Sequence, residues 1–186
     1  MFRTAIPAAL LAASFAFPAA AQQAPAQETP TAPAPEVPAA AASFVDAEGA
    51  EIGTATLTGT PHGVLIGMEV TGLPASKWVA FHIHEGETCE HDHRFESAGG
   101  HFNPSEADHG YMSETGPHSG DMPNQYVASD GILMAEVFNS YVDLDGGPTS
   151  VIGRTLMIHA EPDDYTSQPA GAAGERLACA VIEAAS

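Results

Sequence analysis

Two histidines set two residues apart in an apolar run, Phe81-His82-Ile83-His84, are where this chain is best equipped to do chemistry. Successive side chains of a strand point to opposite faces, so His82 and His84 project from the same one. Further along come His101 in Gly99-Gly100-His101-Phe102-Asn103-Pro104, then His109, then His118-Ser119-Gly120-Asp121, and finally His159 closing the apolar run Thr155-Leu156-Met157-Ile158. Six imidazoles and one carboxylate in such settings suit metal coordination. Two divalent ions need about eight donor positions between them, and a histidine has two ring nitrogens that can each hold a metal. Seven residues therefore suffice when one imidazole is shared.

Any one of these histidines alone would more often be an ordinary surface or core residue; the set, in this order, is different. The succession His-x-His, Gly-Gly-His-Phe-Asn-Pro, His-x-Gly-Asp, Ile-Gly-Arg-Thr-Leu-x-x-His and Gly-Glu-Arg-Leu-Ala-Cys closely resembles copper/zinc superoxide dismutase, from about Ser43 to the C-terminus. The resemblance implies copper on His82, His84, His101 and His159, and zinc on His101, His109, His118 and Asp121, with His101 bridging as an imidazolate. Four nitrogens suit Cu(II) in a flattened arrangement. Three nitrogens and a carboxylate oxygen form a closed tetrahedral set of the structural zinc type.

The implied reaction is dismutation of superoxide to dioxygen and hydrogen peroxide by redox cycling of copper, with His101 carrying a proton and Arg176 attracting the anion. Asp163, four residues past His159, matches the carboxylate that connects a copper ligand to a zinc ligand, here His82 and His109. Its neighbour Asp164 is open to the same role. The competing reading is a non-catalytic dismutase-like domain that binds or delivers copper; loss of a ligand or of the arginine would favour it, and both are retained. A zinc hydrolase of the His-x-His-x-Asp-His type is excluded, because Glu85-Gly86 follows His84.

Positioning these side chains takes strands joined by long loops. Short runs separated by Gly, Pro and Asp extend over Ser43–Asp46, Glu51–Thr58, Gly63–Val70 and Lys77–His84, with no helical periodicity. Strands resume at Gln125–Ala128, and Asp130-Gly131 before Ile132–Phe138 is a hairpin cue. Val151–His159 and Leu177–Ile182 complete the set. Pattern alone indicates an all-β antiparallel sandwich or barrel; the resemblance specifies an eight-stranded Greek-key barrel or sandwich with two long functional loops. Those loops are the polar stretches Pro104–Pro123 and Ala160–Gly174, and long loops without structure of their own are uncommon unless functional. Trp78 and Phe81 read as core and Arg154 as structural. His91-Asp92-His93 reads as a solvated loop, and His62, in a turn, takes no role. Ala80 and Ala180 stand where the family usually has glycine, and Cys89 lies closer to His84 than in familiar members.

The chain has 186 residues, room for one domain with a real core plus appendages. Residues 1–21 read as a signal peptide: Arg3, the apolar stretch Ala5 to Phe17, and Ala19-Ala20-Ala21 before Gln22. It is too short and Ala-rich for stable membrane insertion, and export to a bacterial periplasm or the medium is expected. Residues 22–42, rich in Ala and Pro, read as a disordered tether, leaving residues 43–186 as the dismutase domain. A net charge of −19 excludes nucleic-acid partners bound through phosphates and keeps an exported protein soluble. Two cysteines, Cys89 and Cys179, in an oxidising compartment point to a disulfide, the alternative being two thiols supplying a copper site. The resemblance implies that this pair anchors the first ligand loop to the last strand. Near the site only Arg94 and Arg176 are positive, Lys77 being the sole lysine, so electrostatic steering is expected to be weak, with Arg94 as auxiliary. Monomer and homodimer are both open.

Overall fold

Alternating residue types become alternating buried and exposed side chains in the computed structural model, which describes residues 39–185. The strands are β1 (Ala39–Asp46), β2 (Glu51–Thr60), β3 (Gly63–Val70), β4 (Lys77–Val79), β5 (Phe81–His84), β6 (Gln125–Val127), β7 (Leu133–Asn139), β8 (Thr155–His159), β9 (Arg176–Val181) and β10 (Glu183–Ala184). On β2, Ala55 and Leu57 are buried while Thr54, Thr56 and Thr58 face solvent; β3 buries Val64, Ile66, Met68 and Val70. Each fully buried Leu, Ile or Phe side chain stabilises the fold by about 1.5–3 kcal/mol.

An eight-stranded antiparallel sheet runs in the order β5-β8-β9-β1-β2-β3-β7, with β10 also paired to β1; β4 and β6 form a separate two-stranded ribbon. The sheet curls around one apolar core that includes Phe44, Leu57, Ile66, Phe81, Ile83, Leu133, Leu156, Ile158 and Ile182. Strands β5 and β8 are buried on both faces. Their inner face joins this core. Their outer face is covered by a smaller cluster of Phe95, Ala98, Met157 and Cys179 and by the site described below. No helix among the described residues is long and apolar enough to cross a membrane.

Besides a shorter β8, which starts at Thr155 rather than Val151, three sequence expectations change. The first strand begins at Ala39 rather than Ser43: residues 39–42, read as the end of the tether, pair with β2, and Ala40 and Ala42 are buried. A run of alanines shows no alternation in type, yet each buried methyl fills the space opposite Leu57 or Ala55. The expected strand Lys77–His84 breaks at Ala80, whose N–H donates to Glu161 O (2.9 Å) while its carbonyl accepts from His159 N (3.0 Å). The chain thereby changes partner, from β6 to β8. Trp78, expected in the core, is 55% exposed and lies edge-on to Tyr126 at 5.3 Å, because Val79 takes the inward position of that short strand. The expected signal peptide, residues 1–21, and residues 22–38 of the expected tether lie outside the described residues.

Candidate metal centre

The register of β5 sets the site. Phe81 and Ile83 face the core, so His82 and His84 must leave the strand on its outer face. β8 pairs Phe81 with Ile158 and His82 with Met157, which brings His159, at the end of β8, to the same end of the site. The loop following β5 then returns along its free edge: Phe102 N donates to Ile83 O (2.8 Å), Ile83 N to Gly120 O (2.9 Å) and Gly120 N to Phe102 O (2.8 Å). These bonds set His84 opposite His101 and His82 opposite Asp121. A Cβ at Gly120 would lie 2.2 Å from Ile83 O, so only glycine admits this approach.

Two clusters result. His82, His84, His101 and His159 each offer a ring nitrogen within 4.8 Å of the others, and His101, His109, His118 and Asp121 offer a second such set. His101 belongs to both. Asp121 Oδ1 lies 2.8 Å from His101 Nδ1, 3.0 Å from His109 Nδ1 and 3.4 Å from His118 Nδ1. Its other oxygen accepts from the backbone N–H of Gly110 (2.8 Å) and His118 (3.0 Å). In the first cluster His84 Nε2 and His159 Nε2 are 3.3 Å apart. The His84 ring is oriented by a 3.0 Å hydrogen bond from Nδ1 to Gly99 O.

Asp163, rather than Asp164, spans the clusters. Its Oδ2 is 2.8 Å from His82 Nε2 and its Oδ1 3.0 Å from His109 Nε2. Asp164 is exposed and bonds instead to Thr166 and Ser167. With Nε2 engaged by Asp163, His82 turns Nδ1 toward the first cluster. There it and His101 Nε2 are buried with no hydrogen-bond partner among the described residues. Such orphans are costly in a folded protein, and a cation among these nitrogens would satisfy both. The donor set fits copper in the first cluster and zinc in the second.

Burial, together with the neighbouring imidazoles and Arg176, holds His84 well below the ordinary histidine range. Burial and His82 bring His159 down to about 3, and burial brings His101 to about 4 against the opposing pull of Asp121. Burial would also lower His109, but its hydrogen bonds to Asp121 and Asp163 win and raise it to about 9. Burial would raise both carboxylates; the imidazole hydrogen bonds dominate and hold Asp121 and Asp163 well below the usual carboxylate range. Neutral His84, His101 and His159 and an ionised Asp121 are the forms a metal takes up, whereas His109 gives up a proton when one binds.

A pH dependence follows for the metal-free protein. The depressed histidines contribute stability that is present above about pH 6.5 and lost as pH falls through their folded values, at about 1.4 kcal/mol for each tenfold change in proton affinity. The two carboxylates act in the same direction at lower pH. His109, being raised, loses its contribution only as pH rises through about 9. Thermal melts of chelator-treated protein should therefore fall steeply from pH 6.5 to 4, whereas a flat profile there would contradict the assignment.

Arg176 opens β9, half-buried, with Nη1 donating to Phe95 O and Nη2 to Gly99 O (2.5 Å). It lines a cavity of 880 Å³ together with His84, His101, His118, His159 and, from the loop after β8, Gln168–Ala170 and Ala172–Gly174. Arg94 instead forms an exposed pair with Glu175, Lys77 pairs with Glu161 at 3.0 Å, and Arg154 bonds Glu85 O with its guanidinium over the Phe102 ring. Cys89 and Cys179 form the disulfide, with Cα atoms 5.7 Å apart. His91-Asp92-His93 forms an exposed 3₁₀ turn that belongs to neither cluster. Two polar residues that sequence reasoning missed hold the site. Asn124 exchanges hydrogen bonds with the Asp163 backbone (2.8 and 2.9 Å), and Gln168 does so with His109. Neither sits in a motif, so the only signal was their place in polar loops.

Residues 51–182 match the family profile described as copper/zinc superoxide dismutase (SODC). The chain is 46% identical over 145 residues to "Superoxide dismutase [Cu-Zn] 2" of Aquifex aeolicus, covering 76% of this chain and 84% of that protein. It is 39% identical over 142 residues to "Superoxide dismutase [Cu-Zn]" of Caulobacter vibrioides, covering 73% and 80%. Among solved structures, a SOD-like protein from Bacillus subtilis superposes with a TM-score of 0.72 at 31% identity, covering 75% of this chain and 95% of that one. The chain belongs to the copper/zinc superoxide dismutase family of oxidoreductases.

Proposed function

We propose that the chain dismutes superoxide using copper held by His82, His84, His101 and His159 and zinc held by His101, His109, His118 and Asp121, with His101 between the two ions. The observation that carries this is the position of His101. Its Nδ1 lies against Asp121 in one cluster, and its buried Nε2, on the side of the other, has no hydrogen-bond partner among the described residues. Bound copper supplies one-electron exchange in both half-reactions, and bound zinc supplies fixed charge at the far nitrogen of His101.

The chain's own residues do the rest. Two superoxide anions and two protons give dioxygen and hydrogen peroxide; His101 Nε2 holds one of those protons and releases it to the departing peroxide, and water gives the other. Arg176 spends two of its five N–H donors on Phe95 O and Gly99 O, which leaves the rest of a rigid positive fork for a small anion in the cavity. The His84 bond to Gly99 O leaves Nε2 as the free nitrogen of that ring. Asp163 takes Nε2 of both His82 and His109, which leaves His82 Nδ1 unpartnered among the described residues and directs His109 Nδ1 to Asp121. Superoxide decay followed on protein loaded with copper and zinc tests the reading, and activity persisting without copper would overturn it. The competing reading is a non-catalytic domain that binds or delivers copper; the presence here of all seven donors and of Arg176 in the cavity favours turnover.

Because Lys77 and Arg94 pair with exposed carboxylates and Arg154 with Glu85 O, and none of the three lines the cavity, Arg176 is its one Lys or Arg among the described residues. Raising salt from low to physiological strength should change the dismutation rate constant by less than about threefold. A collapse of the rate would mean strong steering. Export is the part of the reading that rests on the sequence alone, supported by a disulfide that suits an oxidising compartment. Intact-mass analysis should find the mature chain beginning at Gln22, and retention of Met1 would count against it.

A further inference from the structure

The two clusters are built differently. His82, His84 and His159 stand on β5 and β8, inside a ladder of backbone hydrogen bonds and closed core packing. His109 lies in the middle of a loop with no strand on either side, between Asn103 and His118. Its ring is gripped by Asp121 and Asp163, but a ring is only as well placed as the backbone that carries it.

Asp121 Oδ2 accepts the N–H of the next residue, Gly110, at 2.8 Å, but the N–H and carbonyl of His109 itself are both taken by one side chain. Gln168 Oε1 accepts the His109 N–H at 2.8 Å, and Gln168 Nε2 donates to the His109 carbonyl at 2.9 Å and to Thr166 O at 3.1 Å. The amide thus brackets the His109 peptide as a neighbouring strand would, from a position 59 residues away. Gly171 comes in beside it: a Cβ there would lie 1.8 Å from Asp163 Oδ1 and 2.6 Å from His109 Nε2, and its φ is +65°. The segment from Asp163 to Gly171 therefore wraps His109 closely, and Gln168 is its link to the His109 main chain.

We infer that Gln168 is a positioning residue for the second metal site, fixing the His109 backbone so that Nδ1 stays aimed at the centre shared with Asp121, His101 and His118. The inference rests on the assignment of zinc to those four residues. Removing a partner that orients a metal ligand weakens metal binding by about 10- to 100-fold. The loss should fall on zinc alone, since the three strand-borne copper donors do not depend on Gln168.

The experiment uses the full chain and two variants, Gln168→Ala and Gln168→Met, the second keeping the length of the side chain without its hydrogen bonds. Zinc and copper affinities are measured by competition with chromophoric chelators, alongside the visible spectrum of cobalt(II) placed in the zinc site. Both variants should bind zinc about 10- to 100-fold more weakly, with a broadened cobalt spectrum. Copper affinity and the metal-free melting temperature should stay close to the parent values. Zinc affinity within about twofold of the parent, or parallel losses of zinc affinity, copper affinity and metal-free stability, would overturn the inference. His118→Ala separates this from failure of the underlying assignment: a His118→Ala variant that still binds zinc like the parent removes the zinc site itself. A variant that loses zinc while Gln168→Met keeps it removes only the role given to Gln168.

Discussion

His101→Ala is expected to lower dismutation by about 10²- to 10⁴-fold in protein that still carries a full complement of copper, the range a positioned proton donor contributes. Among the described residues the ring is the one donor present in both clusters, and its Nε2 is a buried nitrogen with no hydrogen-bond partner. On the proposed assignment, alanine removes the proton at the reacting side and a donor from each metal together. Stopped-flow decay of superoxide at matched copper content measures the first effect, and the nitrogen hyperfine pattern of Cu(II) measures the second. His118→Ala is the control, because His118 belongs to the second cluster only. It should weaken zinc binding while leaving the copper nitrogens and most of the rate in place. A His101→Ala protein within about tenfold of the parent rate would place the essential proton elsewhere.

The surroundings of His101 also show why much of this site was legible in residue order and type. His82 and His84 share a face because a strand has period two, and apolar Phe81 and Ile83 fix which face is inward. The remaining donors were found because most sit in short runs that occur in the family's order, and one glycine of those runs, Gly120, has a plain steric reason against Ile83 O. What the sequence could not show depends on contacts between distant segments. Asp163 and Asp164 are identical in type and adjacent, and only the fold decides that the first is buried between His82 and His109. Ala80 breaks its strand because Glu161 O, from a distant loop, takes its N–H. Ala39–Ala42 carries no alternation of type to reveal a strand, and Trp78 is apolar without being inward. Gln168 holds a peptide group, and a peptide group leaves no trace in residue identity.

Breaking the Cys89–Cys179 disulfide should act twice. The cross-link closes a sequence separation of 90 residues, and the chain-entropy relation assigns such a loop about 4–5 kcal/mol. For a domain of this size, that lowers the melting temperature by roughly 10–20 °C. The second effect is local. Cys179 packs with Met157 against Phe95 and Ala98, and the carbonyls of Phe95 and Gly99 are the two that hold Arg176. Gly99 O also holds His84. Reduction frees the loop that carries those carbonyls from the strand that carries the arginine. At a temperature where the reduced protein is still folded and still holds both metals, its dismutation rate should fall by about tenfold or more through displacement of the guanidinium. A double-mutant cycle separates this from partial unfolding. If the disulfide acts through Arg176, reduction should cost little further activity in an Arg176→Ala background, whose rate is already low. Additive losses in the two backgrounds would show that the cross-link serves stability alone.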